Sequence, residues 1–102
     1  MTDLHDSSAK HPVVELCREL VRIPSLPGDE GRLAALVADR MRSASLAVET
    51  DGLGNVLGVK KGAIPGPTLL FDAHLDTVPA ADPSAWAHEP FGAEVSAGRL
   101  WG

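Results

Sequence analysis

The sequence has a single cysteine, Cys17. That excludes an internal disulfide and any CxxC metal or redox motif, and it fits a reducing compartment. Long apolar runs are missing too: nothing approaches the roughly 20 residues a membrane-spanning helix needs. Met1 to Lys10 is polar, carrying Asp3, His5, Asp6 and Lys10, and lacks the basic-then-apolar pattern of a secretory signal. Cytoplasm is the expected location. Positive charge is in short supply, with 9 Lys and Arg against 14 Asp and Glu and a formal net charge of -5. The basic residues are also scattered, so neither nucleic acid nor an anionic membrane surface is expected as a partner. No internal repeat or low-complexity tract occurs.

What is present suits one globular unit. The chain has 102 residues, 44% hydrophobic and 23% charged, enough for a single core. Residues 1–10 lack an apolar period and are expected to form a flexible tail. Val13, Leu16, Cys17, Leu20 and Val21 follow the spacing of a helix with one buried stripe. Pro12 suits its first turn, and Pro24 ends it by restricting Ile23. A second helix is expected over Asp29 to Ser43, capped by Gly28 or Asp29, with Leu33, Val37, Met41 and Ala44 facing inward. Leu46 to Thr50 and Val56 to Lys60 read as strands around the turn chemistry of Asp51-Gly-Leu-Gly-Asn55. Glycine and proline place another loop at Lys61 to Pro67. A last hairpin is expected from Ala93–Val95 and Arg99–Trp101 around Ser96-Ala-Gly98. The order of elements points to an α/β fold.

The strongest strand signal is Thr68 to Asp76, nearly continuous in apolar character, as expected for a central strand covered on both faces. Alternation puts Leu70, Asp72, His74 and Asp76 on one face and Leu69, Phe71, Ala73 and Leu75 on the other. Polar groups therefore gather toward the C-terminal end of one strand, where open α/β sheets place their ligands. A neutral imidazole is a good zinc ligand, and a carboxylate commonly orients such a ring through its second nitrogen. Asp76 stands where it can do this for His74. A plain strand-end hydrogen bond is the simpler reading of an isolated His-x-Asp.

The stretch Leu70-Phe-Asp-Ala-His-Leu-Asp-Thr-Val-Pro79 resembles the first metal-binding motif of the M20 metallopeptidase family. That family includes aminoacylases, carboxypeptidases, acetylornithine deacetylases and succinyl-diaminopimelate desuccinylases. Glu15 to Ser25 resembles its first helix and Ile-Pro-Ser exit, and Asp51 to Val56 its Asp-x-x-Gly-Asn-Val turn. Trp86 to Phe91 and Gly98 to Gly102 are similar to the segment leading to its second metal motif. The resemblance covers about residues 12–102, and its Asp-Ala-His-Leu-Asp-Thr-Val wording is most similar to a branch associated with selenium metabolism.

The resemblance implies the N-terminal part of a three-layer α/β/α zinc-peptidase-like catalytic domain, here residues 11–102. By the same token His74 is a ligand to one of two zinc ions, with cobalt or manganese as alternatives, and Asp76 is the catalytic-site residue that orients it. The implied reaction is metal-assisted hydrolysis of a small peptide or an N-acyl amino acid, in a protein that can pair as a homodimer. Asp72 has no standard role in the family. The Asp that bridges both metals, the general-base Glu, the other ligands and the dimerisation domain find no match in these residues. The expectation is an N-terminal fragment, inactive alone, because a catalytic zinc needs three protein ligands and His74 is one.

The remaining candidates are weaker. His5 and His11 read as solvated residues, and His88 as a surface-packing group before Pro90 and Phe91. Cys17 falls on the apolar stripe and reads as a small core residue. Trp86, Phe91 and Trp101 read as packing anchors. Ser25 lacks a Gly-x-Ser-x-Gly setting for a nucleophile. Two rival functions stand beside this reading. The Asp72-Ala-His74 stretch superficially resembles an aspartate-nucleophile phosphotransferase, but the position needing a second carboxylate is His74. A non-catalytic remnant serving as an interaction module is compatible with every residue present.

Overall fold

The computed structural model describes residues 11–102. The expected tail at residues 1–10, with His5, lies outside the described residues. The chain mixes helices with two small antiparallel sheets and divides into two compact units. One holds residues 11–24 together with Val78–Gly102; the other is Ser25–Thr77.

In the first unit, helix α1 spans Pro12–Val21. Pro12 lies in its first turn, where a missing N–H costs nothing. His11 caps it: the ring Nδ1 accepts from the Val13 N–H at 3.2 Å. This gives His11 a local structural task that the sequence reading did not assign. The inward stripe also differs from expectation. Leu16, Leu20 and Val21 are half-buried as the stripe requires, but Val13 is 68% exposed and Cys17 is exposed, while Val14 and Arg18 are half-buried. Arg18 Nε donates to the Ala93 carbonyl at 3.1 Å while its Nη1 pairs with Glu15, and Gly102 lies directly against Val21. The covering partner reaches the Arg18 side, so Cys17 is not a core residue.

The same unit carries the hairpin β3 (Glu94–Ser96) and β4 (Arg99–Trp101), with Val95 opposite Leu100. Ala97 and Gly98 turn the chain with φ of 51° and 73°. Two central residues with positive φ make the twist-matched two-residue hairpin turn. A short 3-10 turn at Pro83–Ala85 is capped by Asp82, whose carboxylate accepts from the Ser84 N–H and hydroxyl.

In the second unit, helix α2 spans Gly31–Ser43 and starts two residues later than expected. Glu30 is its N-cap but makes no side-chain cap bond; its carboxylate turns back to accept from the Gly28 N–H at 2.9 Å. The Asp29 N–H is taken by the Leu26 carbonyl in a preceding turn, which keeps that residue out of the helix. Leu33 and Ala38 are buried, Val37 and Met41 half-buried, and Ala44 is exposed because it is the C-cap rather than part of the inner face.

Strands β1 (Ala47–Thr50) and β2 (Val56–Val59) pair antiparallel, Ala47 opposite Val59 and Thr50 opposite Val56. Asp51 organises their turn, accepting from the Leu53 and Asn55 N–H groups and from the Asn55 side chain. Gly54, with φ of 90°, supplies the left-handed residue this turn requires. At Gly58 a Cβ would meet Met41 Sδ at 2.7 Å and Leu46 Cδ2 at 2.8 Å. Glycine is what lets α2 lie so close to the hairpin.

The expected central strand at Thr68 to Asp76 is not formed. No strand pairs with this segment among the described residues, and every sheet there is a two-stranded hairpin. The segment runs without turn or bend, and Leu69, Leu70 and Phe71 are 79–89% exposed. Apolar continuity encodes a demand for cover on both faces, but a strand exists only where neighbours accept its backbone hydrogen bonds. The three-layer arrangement expected around it is likewise not seen among the described residues.

Candidate functional site

Ser25 fixes the end of the extended segment. It is 1% exposed, and its hydroxyl donates to the Leu75 carbonyl at 2.8 Å. Its own carbonyl accepts from the Thr77 N–H at 2.8 Å. The chain is thus held on both sides of Asp76 by one residue. Sequence reasoning placed Ser25 only as the residue after Ile23-Pro24; the signal for its role was that Pro24 forces an extended exit there.

At this clasp, His74 and Asp76 come together as the strand spacing suggested. His74 Nδ1 lies 2.8 Å from the Asp76 carbonyl oxygen and 3.3 Å from its Oδ1. Both oxygens only accept, so Nδ1 carries a proton, and in the neutral tautomer this fixes, the lone pair is on Nε2. The backbone carbonyl is the nearer partner, so Asp76 orients the ring through main chain and side chain together. The His74 side chain is 84% exposed and Asp76 44%, so the pair stands on the surface and not at the end of a buried strand. Asp72, on the same side of the run, is exposed.

The pair meets part of what a metal centre requires. The lone pair on His74 Nε2 has the right chemistry for zinc, and its ring is held by a carboxylate residue as metal-bound histidines usually are. Yet no group of three or more His, Cys, Asp or Glu among the described residues could hold a metal ion. A zinc centre therefore does not fit the described residues by themselves.

The first unit contains a second imidazole–carboxylate pair. His88 Nδ1 lies 2.7 Å from Glu94 Oε2, and the ring stacks on Trp101 with centroids 4.1 Å apart and planes 21° from parallel. Arg99 approaches the same indole at 5.9 Å. Trp101 Nε1 donates to Ser96 Oγ, and Trp86 Nε1 to the Ala80 carbonyl. These contacts hold the His88 and Trp101 rings against each other, whereas Trp86 is 43% exposed. A shallow hollow of about 370 Å³ lies between Trp86 and Trp101 and is also lined by His88.

Two carboxylates are held below their ordinary range. Asp51 is lowered chiefly by the Asn55 side-chain hydrogen bond and then by backbone N–H donors of its turn. Asp82 is lowered chiefly by the Ser84 hydroxyl. Both perturbations belong to turns rather than to the His74 pair. No helix among the described residues is long and apolar enough to cross a membrane. No protein-family model matches the chain, and no solved structure matches it.

Proposed function

We propose that the chain carries the first metal-ligand segment of an M20-type metallohydrolase acting on a small peptide or an N-acyl amino acid. The observation that carries this reading is the imidazole at His74, locked by Asp76 with its Nε2 lone pair outward, inside a stretch that resembles the family's first metal motif. His74 is the proposed ligand and Asp76 the residue that sets its tautomer. The same reading makes residues 68–76 the central strand of a three-layer α/β/α domain, completed by strands beyond those described. A cytoplasmic location and pairing as a homodimer belong to it as well.

Ligand count limits what these 102 residues do alone. One imidazole is two ligands short of a catalytic zinc and three short of a structural one. The isolated chain is accordingly inactive and binds zinc weakly. Zinc titration by calorimetry checks this: submicromolar one-to-one binding, abolished by His74→Ala, would overturn it. The hydrolase reading itself is decided by the reading frame after codon 102. It expects a second aspartate motif followed by a Glu-Glu pair; a stop codon in that place defeats it.

The interaction-module alternative has one observation in its favour. The apolar run Leu69-Leu70-Phe71 is exposed in a way soluble monomers seldom tolerate.

A further inference from the structure

Asp51 is the only Asp or Asn in the sequence that a glycine follows. Glycine has no Cβ to shield its nitrogen, so this is the peptide at which a side-chain carboxyl most readily cyclises. Ring closure joins the Gly52 nitrogen to Asp51 Cγ. The nitrogen's proton and the carboxyl hydroxyl leave as water, and an imide remains. Water then reopens the ring. Breaking the bond at Cγ restores aspartate; breaking it at the main-chain carbonyl leaves isoaspartate, with the chain running through the side chain.

The peptide is accessible. Asp51 and Gly52 are exposed, a Cβ at Gly52 would meet nothing within 4 Å, and the Gly52 N–H has no hydrogen-bond partner among the described residues. What opposes the reaction is the carboxylate's own set of partners. Oδ1 accepts from the Leu53 and Asn55 N–H groups, both at 2.9 Å, and Oδ2 accepts from the Asn55 side chain at 2.8 Å. The carboxyl cannot rotate to present Cγ to a new partner without breaking these bonds. Closure also needs the protonated acid, because the departing oxygen leaves as water. The Asn55 side chain is the chief cause holding the Asp51 carboxyl below its ordinary range, and the Asn55 N–H is the next. Hydrogen bonds to the charged form favour that form.

We propose that the Asp51–Gly52 peptide is a latent isomerisation site and that the Asn55 side chain keeps it closed. The damage on opening is local. In isoaspartate the carbonyl that accepts from the Gly54 N–H becomes a free carboxylate, and the extra backbone atom displaces Thr50 from its place opposite Val56. The chemistry involves neither His74 nor a metal, so it stands apart from the hydrolase reading.

Ageing of the 102-residue chain at neutral pH and body temperature tests the proposal. Isoaspartate is counted by enzymatic methylation of its free carboxyl and placed by chromatography of the tryptic fragment Ser43–Lys60. Asn55→Ala is expected to accumulate it about fivefold faster than the parent chain, the effect of losing one net hydrogen bond. Adding Gly52→Ala to that variant is expected to remove most of the gain, since the new Cβ shields the nitrogen. Val56→Ala, matched to Asn55→Ala in urea midpoint, loosens the same hairpin without touching the carboxylate. It is expected to stay within about twofold of the parent, less than the smallest net hydrogen bond gives. An Asn55→Ala rate equal to the parent's, an equal gain in Val56→Ala, a gain that survives Gly52→Ala, or isoaspartate at another residue in place of Asp51 would each overturn the proposal.

Discussion

Replacing Ser25 with alanine isolates the bond that holds the His74–Asp76 pair in place. The substitution removes one hydroxyl, which is buried and donates to the Leu75 carbonyl at 2.8 Å. The neighbouring bond from Thr77 N–H to the Ser25 carbonyl is main-chain and survives. A typical intramolecular hydrogen bond contributes about 0.5–1.5 kcal/mol net, and a fully buried orphaned acceptor costs about 1–3 kcal/mol. Leu75 is only half-buried, so water reaches its carbonyl and the lower range applies. The expected loss is about 1 kcal/mol, localised at residues 75–77, or roughly a fivefold rise in opening. Amide hydrogen exchange of Thr77 reads this directly. The Gly54 amide, bonded to the Asp51 carbonyl in the same unit, serves as the control and is expected to hold its rate. Freed from the clasp, Asp76 holds the His74 ring less firmly, and ¹⁵N shifts are expected to move toward a mixture of tautomers. Thr77 exchange unchanged within about twofold would refute the clasp, because the smallest net hydrogen bond already exceeds that change. Equal acceleration at Gly54 would show global loosening instead.

Two further outcomes test the turns. Ala97 holds φ of 51° in the tight turn before Gly98, a position that suits Asn or Gly, so Ala97→Asn is expected to stabilise the β3–β4 hairpin by about 0.5–1 kcal/mol. Urea denaturation followed by Trp101 fluorescence reads the gain, and an unchanged or lowered midpoint would contradict the strain argument. The Asp51 carboxyl is lowered in the folded turn relative to the unfolded chain, chiefly by Asn55. Its contribution is therefore fully present above the ordinary aspartate value of about 4 and fades as pH falls through the lowered folded value. The Asn55 side-chain amide resonances are expected to shift as Asp51 protonates, below the midpoint of an unstructured aspartate; a midpoint at or above it removes the turn's pH sensitivity.

The sequence by itself determined the local elements, because their causes are local. Pro12 and Pro24 bound α1, Asp51 to Asn55 builds its own turn from four-residue contacts, and Ala97-Gly98 closes a two-residue hairpin. The His74–Asp76 contact was legible for the same reason, since two residues in extended chain reach each other without help from the fold. Tertiary structure decided everything that depends on a partner far along the chain. Cys17 is left exposed while its neighbour Arg18 is drawn to the Ala93 carbonyl, 75 residues away. Ser25 became the clasp of the candidate site through a contact 50 residues away. The apolar run at Thr68 to Asp76 stated a need for neighbours without containing them. Strand character is a property of a pair, and in the described residues that pair is not made.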